Sequence, residues 1–236
     1  ENRTGMLGPG EGLFGQLARV RWGHHTVTVA FLGVPVPAEV MEQIGTYALH
    51  AEELRKRARG HTAHAILAYE GEEKDPLEQY RVLAKVTVAL LPLGALMVLN
   101  PEACSAYPAE LLRPRPEEEL DEVLNTLPLM ALFVGFVRAT VDGREGIWIR
   151  TCGAPLLGLP DLAMNVGDHS ECQRVYLIFR NIFDAMFSTG VRFSPGDLVQ
   201  DEETHWEFHK PRANEGFLYS PRMIVLEPTE PTLRLP

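Results

Sequence analysis

Short runs of alternating hydrophobic and polar residues mark the first patterned part of the chain. Residues 17–22 and 26–34 alternate with a period of two on either side of Gly23, so they predict two antiparallel strands joined by a tight turn. A small, largely apolar run at 62–69 predicts a third strand. Residues 1–16 are rich in glycine and have no such periodicity, and we expect a flexible lead-in there.

Three stretches repeat hydrophobic residues every three or four positions, the spacing of an amphipathic helix. Residues 38–59 predict one or two helices. Asp75 and Pro76 predict the start of another, because aspartate caps free amide groups and proline is tolerated at the first helical position. Residues 168–188 begin with a capping box and predict a third. The expected inner stripes are Leu77, Tyr80, Leu83, Ala84, Thr87, Leu90 and Leu91, and Val175, Ile178, Phe179, Ile182, Ala185 and Met186.

Apolar runs between turn residues predict the remaining elements. Residues 131–141 and 146–151 flank Asp142 and Gly143, which indicates a β-hairpin. Proline followed by three glutamates at 116–119 predicts a short helix, because acids stabilise a helix N-terminus. Further short strands are expected at 95–99, 197–200, 205–209 and 222–227.

Strands that come both as hairpins and as helix crossovers indicate an α+β fold. We expect a mixed, mostly antiparallel sheet with three to four packed helices, for which two ferredoxin-like lobes are one arrangement. A single domain is predicted over 17–227, with lobes at 17–112 and 113–227 as the alternative. Residues 228–236 are rich in proline and predict a tail that cannot join a sheet interior.

Charge adds information about partners. The composition, 45% hydrophobic and 23% charged, is that of a globular domain, but the net charge is -10. Residues 1–64 carry +1 and residues 65–236 carry -11. Such a field repels nucleic acid and anionic lipid and attracts basic proteins, so we expect a basic protein partner, no nucleic acid and no membrane. The basic residues at 55–59 are interpreted as a helix terminus.

Several features bear on the compartment. The longest apolar run, 127–137, is eleven residues long, whereas a bilayer span needs about 20. The first residues show no apolar secretion segment, so a cytoplasmic location is expected. Three cysteines without CxxC spacing predict neither a disulfide framework nor a zinc knuckle.

Motifs for cofactors and metals are incomplete. Residues 10–15 match the dinucleotide pattern GxGxxG, but no strand precedes them and no helix follows, so we expect no cofactor. His61 and His64 are three residues apart and would point to opposite faces of a strand. His205 and His209 would lie about 13 Å apart on a strand, too far to share one ion. We therefore expect no metal site.

Cys152 is the candidate nucleophile, because it follows a predicted strand where a thiolate could be exposed. His64 or His61 would have to serve as its base, with Asp161 as the orienting carboxylate, and the spacing alone does not bring these residues together. A free cysteine otherwise behaves as a small apolar residue. The sequence contains no complete catalytic set, which favours a protein that is not an enzyme.

Short turn and cap motifs occur at 34–39, 60–65, 75–77, 151–153 and 158–162. Together with the helix after residue 168, they resemble the bacterial domain of unknown function family 4261 over about residues 26–226. That resemblance implies no assigned activity. It implies a bacterial protein with an immunity or secretion-accessory role, because such genes are often found beside conflict and secretion genes.

Three hypotheses about function follow. The leading one is a non-enzymatic cytoplasmic binding domain that docks a basic partner on its acidic surface. The second is a small hydrolase or transferase that uses Cys152 with a histidine. The third is a structural subunit of a larger assembly, which requires Phe133, Phe136 and Trp148 to be exposed on one face of the hairpin. The oligomeric state is left open.

Overall fold

The computed structural model describes residues 15–45, 52–127, 129–200, 204–218, 220 and 222–229. The predicted lead-in, apart from residues 15 and 16, therefore lies outside the described residues, as do six residues between the first two helices. The chain divides into two compact units. The first comprises Glu1–Pro101 and Ala106–Leu127, and the second comprises Glu102–Ser105 and Pro128–Pro236.

The first unit is built on a three-stranded antiparallel meander. Its strands are β1 (Leu17–Trp22), β2 (His25–Leu32) and β3 (His64–Tyr69), in the order β1-β2-β3. β2 is the central strand, and Val27 and Val29 on its inner face are buried against Val82 and Val86 of the following long helix. The alternation that predicted β2 therefore matches the buried face of the sheet, whereas Val20, on the apolar side predicted for β1, is exposed.

The other elements of the first unit are mainly helical. They are α1 (Ala38–Gly45), α2 (Glu52–Arg59), α3 (Pro76–Leu90) and α4 (Leu120–Thr126), with the short strand pair β4 (Met97–Asn100) and β5 (Ser105–Pro108), whose first residue belongs to the second unit. The carboxylate of Asp75 accepts a hydrogen bond from the amide of Leu77 at 3.0 Å, so the predicted cap is present. The inner stripe differs from the prediction because Val82 and Val86 are buried, whereas Leu77 is only partly so.

The second unit contains a six-stranded mixed sheet. Its strands, in the order β6-β7-β8-β11-β10-β9, are β6 (Gly135–Ala139), β7 (Ile147–Cys152), β8 (Asp161–Val166), β11 (Met223–Thr229), β10 (His205–His209) and β9 (Leu198–Gln200). All neighbours are antiparallel except β8 and β11, which are parallel. The predicted hairpin corresponds to β6 and β7.

Both faces of this sheet are covered, which explains why consecutive apolar residues occur in its central strands. On one face lies α6 (Cys172–Ser188), whose buried residues are Val175, Ile178, Phe179, Ile182, Phe183 and Met186. On the other face, Leu218 packs with Trp148, Ala163 and Val225. Successive residues of β7, β8 and β11 therefore alternate between two separate hydrophobic clusters.

The α+β class with a mixed sheet is confirmed, but several details differ from the predictions. A short helix, α5 (Leu129–Leu132), occupies the start of the run predicted as strand. The described residues contain six α-helices, more than the three to four expected, and neither unit has the βαββαβ order of a ferredoxin-like lobe. β8 was not predicted, and β11 includes Pro228, which pairs with Trp206 instead of beginning the tail.

Candidate functional site

The second unit brings two cysteines into contact. Cys152 is the last residue of β7, and Cys104 lies in the segment 102–105, whose last residue begins the short strand β5. Their Sγ atoms are 3.4 Å apart, with the Cys152 thiol as donor. The Cys152 Sγ also lies 3.6 Å from the carbonyl oxygen of Glu102. Both cysteines are partly exposed, so this thiol pair is reachable from solvent.

Close backbone packing holds Cys104 in this position. Ala103 is fully buried, and a Cβ atom added to Gly135 of β6 would overlap its carbonyl oxygen. Gly153, with φ of +93°, leaves room for the Ala103 side chain, since an added Cβ would lie 2.5 Å from it. Cys104 itself adopts φ of +48°, a conformation that non-glycine residues rarely adopt. Two glycines therefore allow the segment 102–105 to approach the ends of β6 and β7.

The contact between the two thiols shifts their pKa values in opposite directions. The hydrogen bond from the Cys152 thiol, aided by the positive charge of Arg150, lowers the pKa of Cys104 to about 7. The same hydrogen bond, together with burial, raises the pKa of Cys152. Arg150 is held nearby because its guanidinium donates to the carbonyl oxygens of Leu218 and, at 3.1 Å, Thr151. The thiolate of this pair therefore forms first on Cys104 and not on the predicted nucleophile.

The partners of Asp161 are groups that hold the fold together. Its carboxylate accepts hydrogen bonds from the amide of Ala154 and the hydroxyl of Thr151, each at 3.1 Å, and from the hydroxyl of Ser220 at 2.9 Å. Asp161 is 3% exposed. Burial raises its pKa, and this effect is larger than that of the hydrogen bonds, which lower the pKa. The carboxylate thus ties the start of β8 to the end of β7 and to Ser220, and none of its three partners is a histidine.

The predicted base lies in the first unit. His64 begins β3, and its Nδ1 is 2.8 Å from the carbonyl oxygen of Val34. The Nε2 of His61 accepts a hydrogen bond from the amide of Val36 at 2.7 Å. Cys152 and Asp161 share the second unit, in whose described part no imidazole is hydrogen-bonded to Cys152. Both histidines instead bind backbone groups of the turn that follows β2.

A surplus of negative charge is concentrated in the first unit at residues 110–122, here called the acidic segment. Its acids Glu110, Glu118 and Asp121 pair with nearby cations, and the Lys85–Asp121 distance is 2.6 Å. The remaining acids are exposed and have no ion-pair partner among the described residues. These three are Glu117, Glu119 and Glu122.

Several acids elsewhere stabilise local structure. Glu73 accepts hydrogen bonds from two backbone amides, which lowers its pKa. Asp168 accepts a hydrogen bond from the amide of Ser170, and Asp197 accepts one from the amide of Ser194. The N-terminal dipole of α4 tolerates Asp121 and Glu122, but the side chain of Glu119 makes no capping hydrogen bond. The acidic segment therefore carries three negative charges, on Glu117, Glu119 and Glu122, that form no ion pair among the described residues.

The second unit also has an open groove of about 570 Å³. Its charged lining residues bind one another: Arg212 forms a bidentate pair with Glu227, which lowers the pKa of Glu227, and Arg144 donates to the carbonyl oxygen of Asn214. These contacts occupy Arg144, Arg212 and Glu227, and the groove carries no ligand assignment.

The structure also bears on three further features considered from the sequence: the aromatic residues of the hairpin, metal binding and membrane-spanning helices. Phe133, Phe136 and Trp148 are all buried, so the hairpin does not offer the exposed aromatic face that a structural subunit would need. In the described part of the chain, no three His, Cys, Asp or Glu side chains are grouped closely enough to hold a metal ion. None of the described helices combines the length and the apolar character needed to cross a bilayer.

Comparison with known proteins adds no relative. No protein-family model matches the chain, and neither a curated protein nor a solved structure does.

Proposed function

We propose that this protein is a non-enzymatic binding domain that docks a basic protein partner on the acidic segment. The observation that carries the proposal is the presence of three exposed carboxylates, Glu117, Glu119 and Glu122, without a cation among the described residues. They belong to a chain with a net charge of -10, so the surrounding field adds to their attraction for positive charge.

Exposed charges of this kind act mainly on association. They steer an oppositely charged partner during encounter and select against acidic proteins, and their effect is screened by salt. Within the acidic segment Glu110, Glu118 and Asp121 already have partners, so its three remaining acids are the ones that can meet a partner's lysines and arginines. The resemblance to the bacterial family supports an immunity or secretion-accessory role in the cytoplasm, where such a partner would be met.

The alternative hypotheses have less support. A hydrolase or transferase that uses Cys152 needs an activated thiol and a base, but the pKa of Cys152 is raised and its polar neighbours in the second unit are Cys104 and the Glu102 carbonyl. A structural subunit would need an apolar face, and the three aromatic residues named for it are buried.

The test is affinity capture from a lysate of the native host with three immobilised proteins. These are the wild type, the triple variant E117Q/E119Q/E122Q and the control variant D142N/E145Q/D184N, which removes the same charge from three exposed acids of the second unit. The expected result is one basic protein retained by the wild type and the control and lost by the acidic-segment variant.

Salt dependence completes the test. With the captured protein purified, its dissociation constant should rise about tenfold in the acidic-segment variant and stay within about twofold in the control. Binding should also weaken steadily between about 0.01 M and 1 M salt, as the Debye length falls from about 30 Å to about 3 Å. Equal retention by all three proteins, or an affinity that salt does not change, would overturn the proposal.

A further inference from the structure

The thiol pair of the second unit is not used by the proposed binding function. Cys104 and Cys152 are 48 residues apart in sequence, and their sulfur atoms nevertheless lie in contact. The third cysteine, Cys172, begins α6 and packs against the main hydrophobic cluster of the same unit. The chain therefore contains one paired site and one separate thiol that serves as an internal reference.

We propose that Cys104 and Cys152 form a reversible dithiol–disulfide site that is oxidised by small-molecule disulfides. The site is a modification site on the second unit and is independent of the acidic segment in the first.

Geometry favours bond formation between these two atoms. A disulfide bond is about 2.05 Å long, so the sulfur atoms at 3.4 Å need to approach by roughly 1.4 Å. A shift of this size is within reach of small side-chain rotations. Ala103 and the two glycines around it fix the backbone on both sides, so the thiols are already paired before any oxidant arrives.

The reaction proceeds by two exchanges. The Cys104 thiolate attacks one sulfur of a small disulfide RSSR, forming a Cys104–SR mixed disulfide and releasing one RS⁻. The Cys152 thiol then loses its proton, and its thiolate attacks the Cys104 sulfur, releasing the second RS⁻. The protein loses two electrons and two protons, and RSSR gains them as two RSH molecules.

The surroundings assign these roles to the two cysteines. Cys104 is the attacking residue, because its pKa of about 7 provides thiolate at neutral pH. Cys152, with its raised pKa, is the resolving residue and attacks only after the mixed disulfide has removed the negative charge from Cys104. The positive charge of Arg150 favours the thiolate form of both cysteines. It therefore helps each thiol to ionise in turn, although the net pKa of Cys152 is raised.

The experiment uses the reduced protein and glutathione disulfide as the probe, without oxygen. Samples are quenched with acid, the remaining thiols are alkylated, and intact mass and peptide mapping identify each cysteine. In the wild type we expect a loss of two hydrogen atoms, a peptide pair joined through Cys104 and Cys152, and an alkylated Cys172. Dithiothreitol should restore all three thiols.

Three variants separate the roles. C172A should behave as the wild type does, whereas C152A should retain glutathione on Cys104 because no resolving thiol is present. C104A should acquire glutathione at Cys152 and form no internal disulfide, because the partner thiol of Cys152 is absent. The wild-type peptide map decides the question even if a variant folds poorly. Two unreacted thiols at positions 104 and 152, or a disulfide that involves Cys172 equally often, would overturn the proposal.

Discussion

The hydroxyl of Thr151 connects two neighbouring strands through the buried carboxylate of Asp161. It donates to Asp161 Oδ1 at 3.1 Å and accepts a hydrogen bond from the amide of Leu162 at 2.8 Å. Thr151 is fully buried, so these bonds replace water that the group cannot reach. A buried polar junction thus lies directly beside Cys152 in the chain.

Asp161→Ala should destabilise the protein by about 3 kcal/mol, because the buried amide of Ala154 and the hydroxyls of Thr151 and Ser220 lose their acceptor. Asp161→Asn keeps one carbonyl oxygen and should cost less than about half as much. Urea unfolding of both variants measures the difference. Equal losses would show that the oxygen atoms of Asp161 do not act as acceptors in this way.

The reactivity of Cys104 should depend on pH. Because its pKa is lowered to about 7, its rate of alkylation by iodoacetamide should rise through pH 7, whereas an ordinary thiol rises near pH 8.5. A thiol whose pKa is lower in the folded state stabilises that state fully above its unfolded pKa of about 8.5, and this contribution is lost as the pH falls through about 7.

Peptide-resolved alkylation of the wild type and of C152A checks this expectation. Removing the Cys152 thiol takes away the hydrogen bond that contributes most to the lowered pKa, so the midpoint for Cys104 should move upward in C152A. A midpoint near pH 8.5 in both proteins would contradict the assignment.

Gly135→Ala should disturb the thiol pair from a distance. The added methyl group would overlap the carbonyl oxygen of Ala103, so the segment 102–105 must shift away from β6. We expect oxidation of the pair by glutathione disulfide to slow by about tenfold and the free energy of unfolding to fall by about 2 kcal/mol. Gly216→Ala is the matched control in the same unit, since open space surrounds it.

If Gly135→Ala and Gly216→Ala oxidise at the same rate, the position of Ala103 does not control the contact between the thiols. Circular dichroism of both variants shows whether the fold is retained.

Local signals predicted much of the fold. The run at 205–209 is strand over the full predicted range, and α6 buries five of the six residues expected on its inner stripe, with Phe183 added. β8 was missed because its first residue is an acid after Leu159 and Pro160, a pattern typical of a turn. Only the sheet shows that Asp161 is buried and that β8 pairs with β11.

The candidate sites were less predictable. Cys152 was selected, but Cys104 was not, because no local spacing relates two cysteines that are 48 residues apart. Asp161 was expected to orient a histidine and instead binds two hydroxyls and an amide. The excess of acidic residues is evident from the sequence. Which of those acids lack an ion-pair partner is known only from the structure, because the ion pairs depend on side-chain positions.

The chain leaves the first unit after Pro101, contributes four residues to the second, and returns to the first at Ala106. A gene fragment that begins at codon 128 would therefore encode a second unit without Ala103 and Cys104. Recombination that exchanged either unit for a foreign one would need three crossover points instead of one. The tetrapeptide consequently makes either unit harder to exchange by recombination.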